Sequence, residues 1–564
     1  MGGAERGRMS GLALREAAWS LRALAARTLG RTPIWSRAPE RLLIAPPDLR
    51  TADPTVAADI YAGYFVFAGR ALETGGRSPF DFDPPSRAWG EALAGFGWLR
   101  HLRAAESAIA RANARALVDD FVSRPRGPLA RSVAVTARRT LSFLSQSPLV
   151  LDGADHAFYE RFLRALGRDV GALDRASTES PLPLDRLTAA IAIAYAGLSF
   201  DDAEPLLKRA TRRLARELDR QILADGGHAS RSPRILVALL LDLLPLRQTY
   251  VTRGIDPPEA LLRALDRMLP MLRMLRHGDG TLALVNGMGV TAADHLATLL
   301  IYDEQRANPL RFAPLSGYAR LQAGTGLVIV DVGGAPPPAH SALAHAGPLA
   351  FELSSGSHRI VVNCGSPESG REELRQATRA TAAHSTAGVD EVSCARFLGD
   401  GGFGPGRVVS RALRRRLGPI MLAGPTASAE RRDSEAGLDI RASHDGYRGS
   451  HGLVHTRTLR LAPTGTRLEG EDAFAVEGAA RPAIAIRFHL HPHVRAGLDE
   501  SGRGVTLVLP GGETWRFEAE GLPAGLEESV FVAMADGGRR SEQIVLRPAA
   551  EGAGGVRWRF ERTG

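Results

Sequence analysis

The residues best suited to chemistry in this chain are histidines, and most of them stand in groups. His384 lies in "RATAAHSTAGVD", at the mouth of a strand-like segment, after Arg375 and Arg379. His340 and His345 share the loop-like stretch "PPPAHSALAHAG". His489, His491 and His493 alternate in "RFHLHPHV", a spacing that would put three imidazoles on one face of a strand, where they either bind a metal or serve the sheet. "SHDGYRGSHGLVHTR" gathers His444, Asp445, Tyr447, His451 and His455 into a hairpin-like segment that could wall a cleft. His228, in "DGGHASRSP", either titrates or caps the helix that follows. Imidazole moves protons near neutral pH and ligates metals when neutral, so these groups point to acid–base or metal chemistry. "GGFGPG" from Gly401 is only superficially a phosphate loop, because no Lys-Ser/Thr pair and no helix signal follow it.

Two kinds of element must position these residues. From about Asp53 to Asp303, apolar residues recur at helical spacing, as in "DRLTAAIAIAYAGLSFDDAEPLLKRATRRLARELDRQIL" and "RSPRILVALLLDLLPLRQTYVTRG", with prolines and glycines between the runs. Successive helical hairpins must bury their faces on one another, which gives a solenoid or a closed α/α toroid. After Tyr318, segments such as "YARLQAGTGLVIVDVGG" and "GLVHTRTLRLAPTGTRLEGEDAF" alternate apolar and polar residues between Gly, Pro and Asp turns, the pattern of an antiparallel β-sandwich. The expected organisation is α+β and multidomain: an amphipathic or linker segment over 1–50, a toroid over 51–312 and a sandwich over 313–564.

Bulk properties narrow the partners. The 564 residues exceed one ordinary core. The net charge of +9 is spread along the chain and not gathered in a tract, so nucleic acid is not the expected partner. Cys364 and Cys394 are the two cysteines and form no CxxC pair, which argues against a disulfide framework or a thiolate zinc site. No stretch reaches the roughly 18 apolar residues of a membrane span. "MGGAERGRMSGLALREAAWSLRALAARTLGR" reads as a basic amphipathic helix for docking or membrane-surface association, without the apolar core of a signal peptide.

A helical half followed by a sandwich, with histidines at the start of the second, resembles the heparinase II/III-like proteins, a family containing lyases of uronic-acid polysaccharides. In the toroid the resemblance rests on "SPFDFDPPSRAWGEALAGFGWLRHL" around Trp89 and Trp98, "DGGHASRSPRILVALLLDLLPL" from Asp225 and "NGMGVTAADHLATLLIYDE" from Asn286. In the sandwich it rests on "HAGPLAFELSSGSHRIVVNCG" from His345, "RATAAHSTAGVD" from Arg379, "ASHDGYRGSHGLVHTRTLRL" from Ala442 and "RFHLHPHV" from Arg487. These segments span most of residues 60 to 500.

The resemblance implies β-elimination. The C5 proton of a uronate is barely acidic, so its carboxylate must be neutralised, a base placed near C5 and the leaving oxygen protonated. In the family these groups come from an Asn-His pair and a Tyr on toroid helices and from a His at the front of the sandwich. No cofactor is required for turnover, although some members hold a structural zinc through two histidines and an aspartate. Carried over, His345 and His384 become site or metal histidines, and Asn363 in "VVNCG" takes the aspartate's place. His345, Asn363 and His384 make a poor zinc set, because a neutral amide is a weak ligand beside a carboxylate. The toroid departs further: Asp185-Arg186 stand where the family has Asn-His, and Ser232-Pro233-Arg234-Ile235 where it has Ser-Pro-x-Tyr. Ile235 cannot move a proton. The expected catalytic set is therefore His345, His384, His228 and Tyr250, and the expected substrate-binding set Asp185, Arg186, Arg231, Arg375 and Arg379.

These expectations amount to a lyase that cleaves an acidic polysaccharide in the cleft between the two domains. Two other readings use the same residues: a non-catalytic glycan-binding or scaffold protein with an eroded site, and an enzyme of altered chemistry on a bacterial envelope polymer. The resemblance implies the cell envelope or periplasm. The absence of a signal peptide in the sequence favours the cytoplasm.

Overall fold

Serine and aspartate side chains begin several helices of the first half: Ser86, Ser107, Ser132 and Asp155 each accept a first-turn backbone N–H. Pro183 and Pro233 open the helices Pro183–Ser199 and Pro233–Thr252, at a position where no intrahelical N–H is needed. The computed structural model describes residues 7, 9–14, 16–18, 21, 38–303, 308–367, 371–399, 405–477, 482–534, 537–548 and 555–564. Pro183–Ser199 is buried along nearly its whole length and packs against His156–Glu179 and Glu204–Gln221. Pro233–Thr252 is long and apolar enough to cross a membrane by length and composition alone, and its leucines lie in the toroid core. Arg139, fully buried, forms a two-pronged pair with Asp169 at 2.8 and 2.9 Å and bonds the carbonyls of Ala94 and Ala130, tying three stretches of the toroid together.

The second half is a pair of antiparallel sheets. The eight-stranded sheet runs between the edge strands Ala427–Ser434 and Arg495–Leu498, and the nine-stranded one between Gly525–Phe531 and Phe312–Ala313. Phe351, Phe488, Phe517, Trp558 and Phe560 fill the space between them, with Phe351 stacked on Trp558 at 5.5 Å. Gly470 is required there, because any Cβ at that position would collide with the Trp558 ring.

Polar bonds join the two halves. Arg231 reaches from the toroid to the Ser316, Gly317 and Gly334 carbonyls and pairs with Asp331. Asn286 donates to Tyr318 Oη at 2.8 Å and to Asp331 at 3.2 Å. Glu352, fully buried, takes His277 of the toroid at 3.0 Å, Arg359, and the N–H groups of Leu284 and Asn363. The Arg359 guanidinium and these donors overcome burial and hold the Glu352 carboxyl down at about 2.

Two segments differ from the sequence reading. A helix, Pro405–Leu417, begins at the end of the "GGFGPG" stretch; its signal was masked by the glycines before it and by a run of arginines, and residues 401–404 lie outside the described residues. Much of the N-terminal segment also lies outside them, but residues 9–14 and 16–18 are helical.

Removing one partner of a buried pair strands the other charge. Asp331→Ala is expected to cost about 3–5 kcal/mol in urea unfolding. Asp439→Ala, which breaks the half-exposed pair with Arg460, is expected to cost under about 1 kcal/mol. Equal costs would contradict the seam described here.

Candidate active-site cleft

The loop between Pro336 and Gly347 carries one histidine to each domain. Arg379 fixes it from the sandwich side by donating to the carbonyls of Ala344 at 2.8 Å and Ser341 at 3.1 Å. Asn286 fixes it from the toroid side by accepting the His345 N–H at 3.1 Å. Gly347 lets the loop close on His384: a Cβ there would lie 2.5 Å from the imidazole.

His345 and His384 meet directly, with Nδ1 of His345 3.0 Å from Nε2 of His384. His384 Nδ1 lies 2.8 Å from the Ala380 carbonyl, an acceptor only, so that nitrogen carries the proton. His384 Nε2 must then accept from His345, which leaves His345 Nε2 with a lone pair and no protein partner among the described residues. Burial lowers the proton affinity of both rings, to about 4 for His384 and well below the ordinary histidine value for His345, where His384 and Arg379 add to the effect. The pair is neutral at pH 7. It can accept a proton, but weakly.

On the toroid side His340 stands edge-on to His228, ring centres 5.5 Å apart. Both His228 nitrogens are occupied, by Ser230 at 2.7 Å and Gln221 at 3.1 Å, and burial lowers its proton affinity to about 3. Arg186 bonds the Ser180 carbonyl at 2.9 Å and pairs with the buried Glu217 at 3.3 Å. Two buried atoms near these groups have no hydrogen-bond partner among the described residues: Ser232 Oγ and His340 Nδ1. Orphaned polar atoms at a domain seam are positions a ligand hydroxyl or a water would satisfy.

The structure therefore brings His228, Arg186, His345 and His384 to the seam and redistributes the rest. Tyr250 is a correction: at 1.5 Å per residue it lies about 25 Å along its helix from Pro233. It bonds Thr211 at 2.7 Å, and burial raises its hydroxyl to about 12. Arg231 and Arg379 are corrections too, since their donors go to the chain's own carbonyls and, for Arg231, to Asp331. Arg375 pairs with Glu372 on its own short helix at 3.0 Å. Asp185 is half-buried and accepts from Ser180 at 3.1 Å; desolvation raises its proton affinity, unlike a group poised for a cation.

The zinc set does not fit. Asn363 Oδ1 accepts the Ser385 N–H at 3.0 Å, and among the described residues no carboxylate joins His345 and His384. Among the described residues no group of three or more His, Cys, Asp or Glu could hold a metal.

His489, His444 and His455, from the other histidine groups, bond partners inside the sandwich. The strand Ile484–Leu490 ends before His491, and His489 is held by Ser529 at 2.7 Å and the Ala382 carbonyl at 3.0 Å. His444 and His455 lie inside the sandwich, not on a cleft wall, with His455 2.7 Å from the buried Asp472.

Sequence reasoning missed Glu217, Asn286 and Asp331. Asp331 left a signal: a lone carboxylate ending the apolar run "GLVIVD" needs a buried partner.

Toroid, sandwich and a histidine at their junction define a lyase-type architecture. The family description "Heparinase II/III-like, C-terminal" matches residues 305–559. The chain is 34% identical over 552 residues to FtsZ-localized protein C of Caulobacter vibrioides (strain NA1000 / CB15N), covering 93% of this chain and 90% of that one. Its fold is similar to heparan sulfate lyase HepC from Pedobacter heparinus, with a TM-score of 0.60 at 14% identity over 97% of this chain and 88% of the other. It is also similar to heparinase III, with a TM-score of 0.67 at 13% identity over 87% and 80%. The chain belongs to the heparinase II/III-like family.

The buried histidines make stability depend on pH with a defined sign. His228, His384 and His489 are neutral in the fold, with proton affinities lowered to about 3 or 4, whereas the unfolded chain takes these protons near the ordinary value of 6.5. Stability is complete above pH 6.5 and falls as pH drops toward 4, by about 1–3 kcal/mol per histidine. The urea midpoint is expected to fall steeply over that window and less steeply in His384→Gln. A flat profile would contradict the assignment.

Proposed function

We propose that this protein is a non-catalytic member of the lyase-fold family that associates with FtsZ and binds an acidic glycan in the cleft. The observation that carries the reading is the state of the cleft's charges. Arg186, the cation that could neutralise a uronate carboxylate during elimination, already has buried Glu217 as its counter-ion, which weakens that catalytic role. Ile235 stands where the resembled lyases place their phenol, and Tyr250 is too far away to replace it. Ser232 Oγ, His340 Nδ1 and His345 Nε2 remain as unpaired polar atoms suited to sugar hydroxyls. The FtsZ association rests on the likeness to FtsZ-localized protein C over nearly the whole chain. For localisation we propose the same place as FtsZ.

A second reading is favoured by the His345–His384 pair. His345 Nε2 is a lone-pair nitrogen fixed by two successive hydrogen bonds, the arrangement a general base requires. In that reading the protein eliminates across the glycosidic bond of a uronate polymer.

The purified chain is expected to be retained by immobilised FtsZ and to bind at least one of heparan sulfate, hyaluronan, alginate and glucuronan. Glycan binding is expected to weaken by about tenfold in Ser232→Val and His340→Leu, one lost hydrogen bond each. No retention by FtsZ would remove the first half of the proposal, and unchanged glycan affinity in both variants the second.

A further inference from the structure

The N-terminal helix is docked. Met9 keeps 8% of its surface exposed and sits with Leu398, Leu413, Leu417 and Ile420 in a small apolar cluster, to which Leu12 and Ala13 of the same helix and Leu182 of the toroid are packed. Glu16, one turn after Leu12, pairs with Arg416 of the Pro405–Leu417 helix at 2.6 Å. The spacing of Met9, Leu12, Ala13 and Glu16 is the i, i+3, i+4, i+7 stripe of one helix face. That face has found its partner within the chain.

The partner is connected to both lips of the cleft. Leu182 immediately precedes the helix that carries Arg186. On the sandwich side, the Met421 N–H donates to Ser341 Oγ at 2.7 Å, and Pro419 accepts from Arg379 at 2.6 Å. Arg379 also holds the carbonyls of Ser341 and Ala344, next to His345. The segment around Pro405–Leu417 is thereby bonded to the loops bearing His345 and His384, while its apolar face reaches Leu182 across the seam.

We propose that the first helix is an intramolecular clasp, occupying the groove between the Pro405–Leu417 helix and Leu182 and thereby restricting access to His345 and the interdomain cleft. Its occupant is residues 9–14 and 16 of this chain, and its release is the step that admits a ligand.

The test uses diethyl pyrocarbonate, which acylates unprotonated imidazole nitrogen, on the full-length protein at pH 7, with modification at His345 followed by mass spectrometry. His156, largely exposed on a toroid helix, is the internal control. Met9→Asp and Arg416→Glu are each expected to speed His345 modification several-fold with His156 unchanged. The charge-swapped Glu16→Arg/Arg416→Glu variant is expected to return His345 to the slow rate, which a merely damaged fold would not do. Equal His345 rates in wild type and Met9→Asp would overturn the clasp, and so would a swapped pair that stays fast. Glycan or FtsZ binding enters neither arm, so this test can fail while the proposed function stands, and the reverse.

Discussion

The buried pair of Arg231 and Asp331 is the constraint on which the rest of the structure depends. Arg231 adopts a left-handed backbone conformation, φ 61°, which a side chain with a Cβ takes only when its surroundings impose it. Here they do, through three sandwich carbonyls and one carboxylate. Asp331 in turn receives Asn286, another left-handed residue at φ 44°, and Asn286 accepts the His345 N–H. Position of the candidate base therefore follows from the way the toroid is fastened to the sandwich. The site has no independent scaffold.

The same fastening consumes the charges that a uronate lyase would need. Cationic side chains are abundant in this chain, yet those nearest the seam bond the protein itself. Arg379 serves loop carbonyls and lies over the Phe397 ring at 3.9 Å. What remains at the seam is neutral and polar: imidazoles held unprotonated by burial and a buried serine hydroxyl. Such a surface recognises hydroxyl groups more readily than it stabilises an enolate-like charge, because developing negative charge requires preorganised cations or donors aimed at it.

The two-part architecture was legible in the sequence because periodicity reports burial directly. Runs such as "RSPRILVALLLDLLPL" can be satisfied only by a helix among helices, and strict alternation in "GLVHTRTLRL" only by a sheet with one covered face. The histidines were legible as residue types and partly as positions, since His345 and His384 do meet. Arginine roles were not. A guanidinium that staples a loop and one that binds a ligand look alike in sequence, and the difference lies in carbonyls from distant segments such as Ser316 and Gly334. Tyr250 was misjudged for a related reason: nearness along a helix of 20 residues is not nearness in space. The Pro405–Leu417 helix was hidden by glycines before it and by arginines as numerous as its apolar residues.

The central claim is that this family member keeps the cleft without the chemistry. The most direct measurement is the ultraviolet absorbance of unsaturated uronate ends during incubation of the wild-type protein with heparan sulfate, hyaluronan, alginate and glucuronan. No rise with any polymer is predicted, given Ile235 and the pairing of Arg186 with Glu217. A rise that disappears in His345→Ala would contradict the claim and establish His345 as the base of an active lyase.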